Sequence, residues 1–310
     1  MKIAFVMDPF DSINTEKDTT YHLIGAASQL HFECFYISPD NLRLENDKVF
    51  AKGQRLKWHD TGLSGEDPQD LCLDDFQSLW VRTDPPFDRR YLYVTYFLDF
   101  LPPSCLCVNS SKTLKEWNEK LVTHKFQKYM VDSLVSKDQD QLKKFVHDQK
   151  RTTLKPIDGF GGKGIDFTDS NDPDLKNKLR KITNEGKHFA IAQAYIEEAK
   201  EGDKRVLIWN GKILGAILRL HADGVELNNL DAGGKALPTL LTERQSMISK
   251  EIAEYSRANG VYFVGIDFLG DYLVEINHTS PTGLQELCRF ENKEFHIEIM
   301  RDLKEITSNL

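Results

Sequence analysis

The stretch Thr153-Leu154-Lys155-Pro156 followed by Asp158-Gly159-Phe160-Gly161-Gly162-Lys163-Gly164 limits most strongly what this chain can become. Four glycines in six positions, Gly159, Gly161, Gly162 and Gly164, let the backbone take positive φ and approach a ligand closely. Successive N–H groups in such a turn form a concavity that suits a phosphate. The pattern is neither the helix-opening phosphate loop ending in Lys-Ser/Thr nor the strand-turn-helix dinucleotide fingerprint, because a strand pattern, Ile165 to Thr168, follows it. It predicts a flexible hairpin lid over phosphates. Lys155, at the end of the preceding strand, puts an amine where it can neutralise developing charge. Lys120, on a helix expected from Asn118 to Met130, is a second candidate cation.

Oxygen ligands come next. In Val264-Gly265-Ile266-Asp267-Phe268-Leu269-Gly270-Asp271-Tyr272-Leu273-Val274-Glu275-Ile276-Asn277, carboxylates and an amide are interleaved with two apolar strands. Such donors suit magnesium, which shares oxygen ligands with nucleotide phosphates. Glu275 and Asn277 are two apart on a strand and share a face. Asp267 joins them only if the hairpin has the right parity. A two-residue Gly270-Asp271 turn pairs Asp267 with Val274 and turns it away; an odd loop over Gly270 to Tyr272, with a bulge, sets it opposite Glu275. A lone carboxylate on an apolar face is costly, so the odd loop is expected, with Asp267, Glu275 and Asn277 as the metal set. His278 falls on the opposite face and reads as a packing residue.

The apolar strand Ile191 to Ile196 runs toward a charged segment, Asp203-Lys204-Arg205. Backbone groups around Gln193, Tyr195 and Ile196 can read an adenine edge, and a carboxylate just beyond, Asp203, can hold ribose hydroxyls. Further on, a long helix is expected from about Glu243 to Asn259.

The first third reads as an open α/β sheet: a strand at Lys2 to Met7, a helix at Tyr21 to Leu30 after an Asp18-Thr19-Thr20 cap, and a strand at Glu33 to Ile37. A buried strand at Leu79 to Val81 follows, broken by Arg82-Thr83-Asp84-Pro85-Pro86-Phe87-Asp88, then a helix at Tyr91 to Leu101 and a strand at Cys105 to Val108. Such sheets bind ligands beyond the carboxyl ends of their strands, where Asp8 and Arg82 lie.

A length of 310 residues favours two or three domains. With 40 Lys and Arg against 48 Asp and Glu, the net charge of -8 argues against nonspecific nucleic-acid binding. No apolar run is long enough to cross a bilayer, the mean hydropathy is -0.46, and the N-terminal apolar run is too short for a signal peptide. The five cysteines are scattered and without metal or redox spacing, which suits free thiols in a reducing cytoplasm.

These motifs, in their order along nearly the whole chain, resemble the ATP-grasp ligases and, within them, the bacterial glutathione synthetases. The resemblance is carried by Val6-Met7-Asp8-Pro9, the segment from Arg82 to Asp88, Asn118-Glu119-Lys120-Leu121, Leu154-Lys155-Pro156 with its glycine loop, Gly202-Asp203-Lys204-Arg205-Val206, Ala232-Gly233-Gly234, and Glu275-Ile276-Asn277-His278-Thr279-Ser280-Pro281-Thr282. It implies an α/β fold: an open α/β N-terminal domain (1–118) before a two-lobed ATP-grasp fold, whose small lobe (119–200) carries the glycine lid and whose large lobe (201–310) carries the magnesium site. Lys120, Lys155 and the lid glycines would contact ATP phosphates, Asp203 the ribose, and Asp267, Glu275 and Asn277 two magnesium ions. Arg219 matches an arginine near the tetrahedral intermediate of a reaction that passes through an acyl phosphate. Asp8, Arg82, Gly233, Gly234, Ser280 and Thr282 would line the substrate half, for a short γ-glutamyl peptide and glycine or analogues. Members of the family often form dimers or tetramers, which leaves a homo-oligomer open for this chain.

Two positions depart from the family pattern. Leu227 and Gln285 stand where arginines are expected, and neither can grip a carboxylate bidentately; Arg289, a helical turn from Gln285, is a candidate replacement. Three readings stay open: a glutathione synthetase, a peptide ligase with another acyl donor or amine, and a nucleotide-binding regulatory module without turnover.

Overall fold

Each of the three regions that the sequence distinguishes builds its own β-sheet. The structure is a computed structural model and describes residues 1–11, 13–59, 62–84, 86–220 and 234–310; Pro85, Leu227 and Gly233 lie outside the described residues.

The first sheet contains β1 (Lys2–Met7), β2 (Glu33–Glu45), β3 (Lys48–His59), β4 (Gly62–Gly65), β5 (Gln69–Cys72), β6 (Ser78–Arg82) and β7 (Leu106–Val108), in the order β4-β3-β2-β1-β6-β7 with β5 paired to β3. β1 runs parallel to β2 and β6, with Met7 beside Arg82, so Asp8 and Arg82 sit at neighbouring strand ends. The continuous apolar run of β1 is explained by cover on both faces. Ile3, Phe5 and Met7 pack with α1 (Thr19–Gln29), whereas Ala4 and Val6 pack with α2 (Arg89–Leu98). Asp18 and Asp88 cap these helices, accepting from the N–H groups of Tyr21 and Tyr91. The sequence shortens β2, which continues past Ile37 through an irregularity to Glu45, and it extends α2 beyond its end at Leu98. After β7 comes α3 (Ser111–Glu116).

The expected helix from Asn118 to Met130 is not a continuous α-helix. Asn118 does cap a turn, accepting from the N–H groups of Lys120 and Leu121, but the run Val122–Tyr129 is 3-10 in character and breaks at Phe126. Thr123 donates its hydroxyl to the Lys120 carbonyl, a local bond that competes with regular helix.

The second sheet has β8 (Ser133–Ser136), β9 (Thr152–Pro156), β10 (Asp166–Thr168) and β11 (Ala190–Ala194) in the order β10-β9-β11-β8, all antiparallel. Helices α4 (Gln139–Asp148) and α5 (Leu175–Ile182) cover the face bearing Leu154 and Ala192. Strand alternation therefore sends Thr153, Lys155 and Gln193 to the other face.

The third sheet has β12 (Asp203–Trp209), β13 (Lys212–Leu220), β14 (Lys235–Pro238), β15 (Phe263–Leu269) and β16 (Tyr272–Asn277), ordered β14-β13-β12-β15-β16. The helix α6 (Glu243–Ala258) starts on a Thr242–Gln245 capping box and covers Val206, Ile208, Val264, Ile266 and Ile276. The opposite face carries Asp203, Arg205, Arg219, Asp267, Glu275 and Asn277. Helices α7 (Leu284–Glu291) and α8 (Phe295–Thr307) close the chain, α8 packing on α1. Trp80 of the first sheet stacks on Trp209 of the third with centroids 5.6 Å apart, and the buried Asn109 amide bonds to the backbone of Tyr262, Phe263 and His278. Among the described residues no helix is long and apolar enough to cross a membrane.

Candidate functional site

Because the second and third sheets turn their polar faces toward the strand ends of the first, all three enclose one cavity of about 800 Å³. It is lined by Lys120, Lys155, Gly159, Gly161 and Gly162, by Gln193, Tyr195, Ile196 and Asp203, by Arg219, Asp267, Glu275 and Asn277, and by Asp8, Arg82, Ser280 and Thr282. Gly164 is not on its wall. Its φ of +77° serves the turn of the lid instead. Gly234 precedes β14 and does not line the cavity either, and Gln285 is buried behind the wall.

The hairpin that carries the acidic residues has a two-residue turn, not the odd loop expected: Leu269 pairs with Tyr272. The register shift lies instead between Asp267 and Phe268, leaving Val274 as the extra residue, and Asp267 is set directly opposite Glu275. Parity is restored by a bulge inside the strand, and the three oxygen-bearing side chains share the cavity face.

Asp267 is the centre of a buried charge network. Arg205 grips it bidentately, Nε to Oδ1 at 2.8 Å and Nη2 to Oδ2 at 2.7 Å, and Oδ2 also accepts from Arg219 Nη2 at 2.8 Å and Asn277 Nδ2 at 3.1 Å. Arg219 also grips Asp203 bidentately, Nε donating to Oδ1 at 2.8 Å and the same Nη2 that meets Asp267 donating to Oδ2. It sits on a strand flanked on both sides and is buried, so it is no surface arginine. Burial alone would raise the Asp267 pKa, but Arg205 and Arg219 outweigh it and hold the carboxyl well below the usual range. At Asp203 burial wins, with Arg219 offsetting part of it, and the pKa is raised.

At the lid, Lys120 Nζ donates to Glu275 Oε1 at 2.8 Å and to the Gly159 carbonyl. Gly159 is needed there because a Cβ would fall 2.5 Å from Pro156 Cγ. Lys155 is 9% exposed, and the only hydrogen bond of its ammonium among the described residues goes to Gln193 Oε1 at 2.7 Å. Burial pushes its pKa down to about 8, with Glu275 resisting and Lys120 assisting. His278 is fully buried against Trp117, and burial lowers its pKa, as befits a packing residue.

Two residues without a role in the sequence reading help to build this site. Arg205 was legible from strand alternation, being two positions from Asp203 and so on the same face. Glu119 accepts from the N–H groups of His278 and Thr279 and from the Thr279 hydroxyl, which anchors the segment bearing Lys120 to the end of β16. No spacing in the sequence points to that contact.

Among the described residues, no three of His, Cys, Asp and Glu gather into a metal cluster. The donor set here is two carboxylates and an amide, which fits magnesium, a cation that takes one or two carboxylates and completes its shell with phosphate oxygens and water. Asn277 donates through its nitrogen to Asp267, leaving its oxygen end as the donor.

Comparison with known proteins gives a consistent assignment. Residues 1–115 match the N-terminal domain of prokaryotic glutathione synthetase, and residues 119–292 match its ATP-grasp domain. The chain is 34% identical to a glutathione synthetase of Synechocystis sp., covering 94% of this chain and 95% of that one, and 36% identical to one of Citrobacter rodentium, covering 96% and 95%. Among solved structures, it shares its fold with the D-cycloserine synthetase DcsG (TM-score 0.69, 13% identity, covering 99% and 100%) and with the D-alanine–D-alanine ligase of Bacillus anthracis (TM-score 0.60, 13% identity, covering 99% and 98%).

Proposed function

Since the chain belongs to the prokaryotic glutathione synthetase family and is an ATP-dependent ligase of the glutathione synthase type, we propose that this cavity is where it joins γ-glutamylcysteine to glycine. The observation that supports this reading is the placement of Asp267, Glu275 and Asn277 on one wall, with Lys120 and Lys155 at the lid and the strand ends of the first sheet across from them.

In this proposal the chain divides into units 1–118, 119–200 and 201–310, with the cavity between them. Gln193, Tyr195 and Ile196 border the adenine, and Asp203, oriented by Arg219, meets the ribose. Lys120 and Lys155 hold the phosphates under the lid of Gly159, Gly161, Gly162 and Gly164. Asp267, Glu275 and Asn277 would hold magnesium, proposed as two ions, which when bound would supply charge stabilisation on the phosphates. Arg205 and Arg219 keep Asp267 ionised and pointed at the cavity.

The peptide carboxylate attacks the γ-phosphorus of ATP, giving an acyl phosphate and ADP. The amine then attacks the acyl carbon and phosphate leaves. Arg219 lies on the same wall, where its charge favours the oxyanion that develops in that second step. Free thiols and a cytoplasmic setting complete the proposal, supported by all five cysteines being unpaired.

The test is phosphate release with ATP and magnesium, with each substrate omitted in turn. Release that needs both γ-glutamylcysteine and glycine supports the proposal. Release only with other acid and amine pairs, or tight ATP binding without release, contradicts it.

A further inference from the structure

Gln285 stands where the family pattern has an arginine, and its surroundings give it a different task. It is 5% exposed, and its amide faces away from the cavity. Oε1 accepts from the fully buried Thr19 hydroxyl at 2.8 Å, and Nε2 donates to the Lys17 carbonyl. These partners lie 266 and 268 positions earlier, at the entry to α1. One amide thus clasps α7, which follows the third sheet, to the first domain. Arg289 does not take the place of the missing arginine: it is exposed, pairs with Glu286 at 3.2 Å and does not line the cavity.

What the clasp holds is a wall of the cavity. Ile13, Asn14, Lys17 and Asp18 all line it. Their turn is shaped by its own bonds: the Asn14 carbonyl accepts from the N–H groups of Lys17 at 3.0 Å and Asp18 at 2.8 Å, and Asn14 Oδ1 accepts from that of Glu16 at 3.0 Å. Asp18 joins the turn to α1 as its cap. Gln285 then fixes the Lys17 carbonyl against α7 from outside. An amide suits this place because it accepts at one end and donates at the other. An arginine has donors only, and it would carry a charge into a buried position whose two partners are neutral.

We propose that Gln285 is a positioning residue, which clasps the turn from Asn14 to Asp18 and so sets the wall that the acyl donor meets. This rests on the ligase reading above. The residues proposed for adenine and phosphates lie on the second and third sheets, which leaves the first-domain wall to the other substrates. The new bond is made beside the phosphates, and glycine is too short to reach from there to this turn. A peptide extends toward it.

The experiment measures kcat and the KM values for γ-glutamylcysteine, glycine and ATP in the wild type, Gln285→Leu, Gln285→Arg, Thr19→Val and Thr19→Ser. Gln285→Leu and Gln285→Arg raise the KM for the peptide by about tenfold, the scale of two neutral hydrogen bonds, and leave the KM for ATP unchanged. Thr19→Val gives a smaller rise, and Thr19→Ser, which keeps the hydroxyl, behaves as the wild type. Hydrogen exchange over residues 13–18 in the free protein is followed in the same variants, and Gln285→Leu and Thr19→Val speed it. A lower peptide KM in Gln285→Arg would mean that position 285 meets the substrate itself, and would overturn the proposal. So would a fall in kcat and thermal stability with the peptide KM unchanged, the mark of a purely structural role. If the Gln285 variants do not fold, the Thr19 pair decides: equal peptide KM values in Thr19→Val and Thr19→Ser overturn it. Unchanged exchange overturns the clasp whatever the substrate, whereas faster exchange in a protein whose wild type does not turn over contradicts the ligase reading alone.

Discussion

Lys155 should take up a proton when ATP binds. Its ammonium is buried, its one partner is a neutral amide oxygen, and its pKa is pushed down to about 8. In the free protein it is therefore about 90% charged at pH 7, half charged at pH 8 and about 10% charged at pH 9. Phosphate oxygens favour the charged form and return the pKa toward the ordinary lysine range. Binding then takes up about 0.1 proton at pH 7, about 0.5 at pH 8 and about 0.9 at pH 9, and the observed ATP affinity falls about tenfold from pH 7 to pH 9. Calorimetry in buffers of different ionisation enthalpy reads the uptake directly, and Lys155→Gln removes it. The sign for stability follows from the same shift. The unfolded chain keeps this proton to about pH 10.5, so the free protein gains stability as pH rises from about 8 to about 10.5, by about 3 kcal/mol from this group. Proton uptake that does not grow with pH, or that survives in Lys155→Gln, would refute the assignment of Lys155 to the phosphates.

Two further outcomes follow from the charge network. Arg219→Gln leaves Asp203 buried without its partner and lowers stability in urea by about 3–5 kcal/mol, part of which returns in the double variant with Asp203→Asn. Glu275→Gln removes a proposed magnesium donor and releases Lys120, so magnesium titration of turnover shifts to higher concentration by more than about tenfold; an unchanged titration removes Glu275 from the metal set.

What could be read in advance depended on whether the determinant was local. The lid, the strand with Lys155 and the oxygen-bearing hairpin were legible because glycine spacing and strand alternation fix which atoms face a ligand. The facing of Asp267 and Glu275 was foreseen from the cost of burying a lone carboxylate, but the device was not. The turn residues Gly270-Asp271 alone would have turned Asp267 away from Glu275, and it is the bulge at Val274, which no residue pattern in the hairpin announces, that brings the two carboxylates to one face, the face where β12 sets Arg205 against Asp267. The helix expected after Asn118 failed because Glu119 and Lys120 are held by β16 and the lid, contacts made by residues more than a hundred positions away or across sheets. Gln285 was legible as a departure, but its direction toward Thr19 depends on how α7 meets α1.

The most direct test of the ligase chemistry uses γ-glutamylcysteine labelled with oxygen-18 in the cysteinyl carboxylate, incubated with ATP, magnesium and glycine. An acyl phosphate requires that one labelled oxygen leave with phosphate in every turnover. Phosphate free of the label, with the label retained in the product peptide or lost to water, would contradict the account.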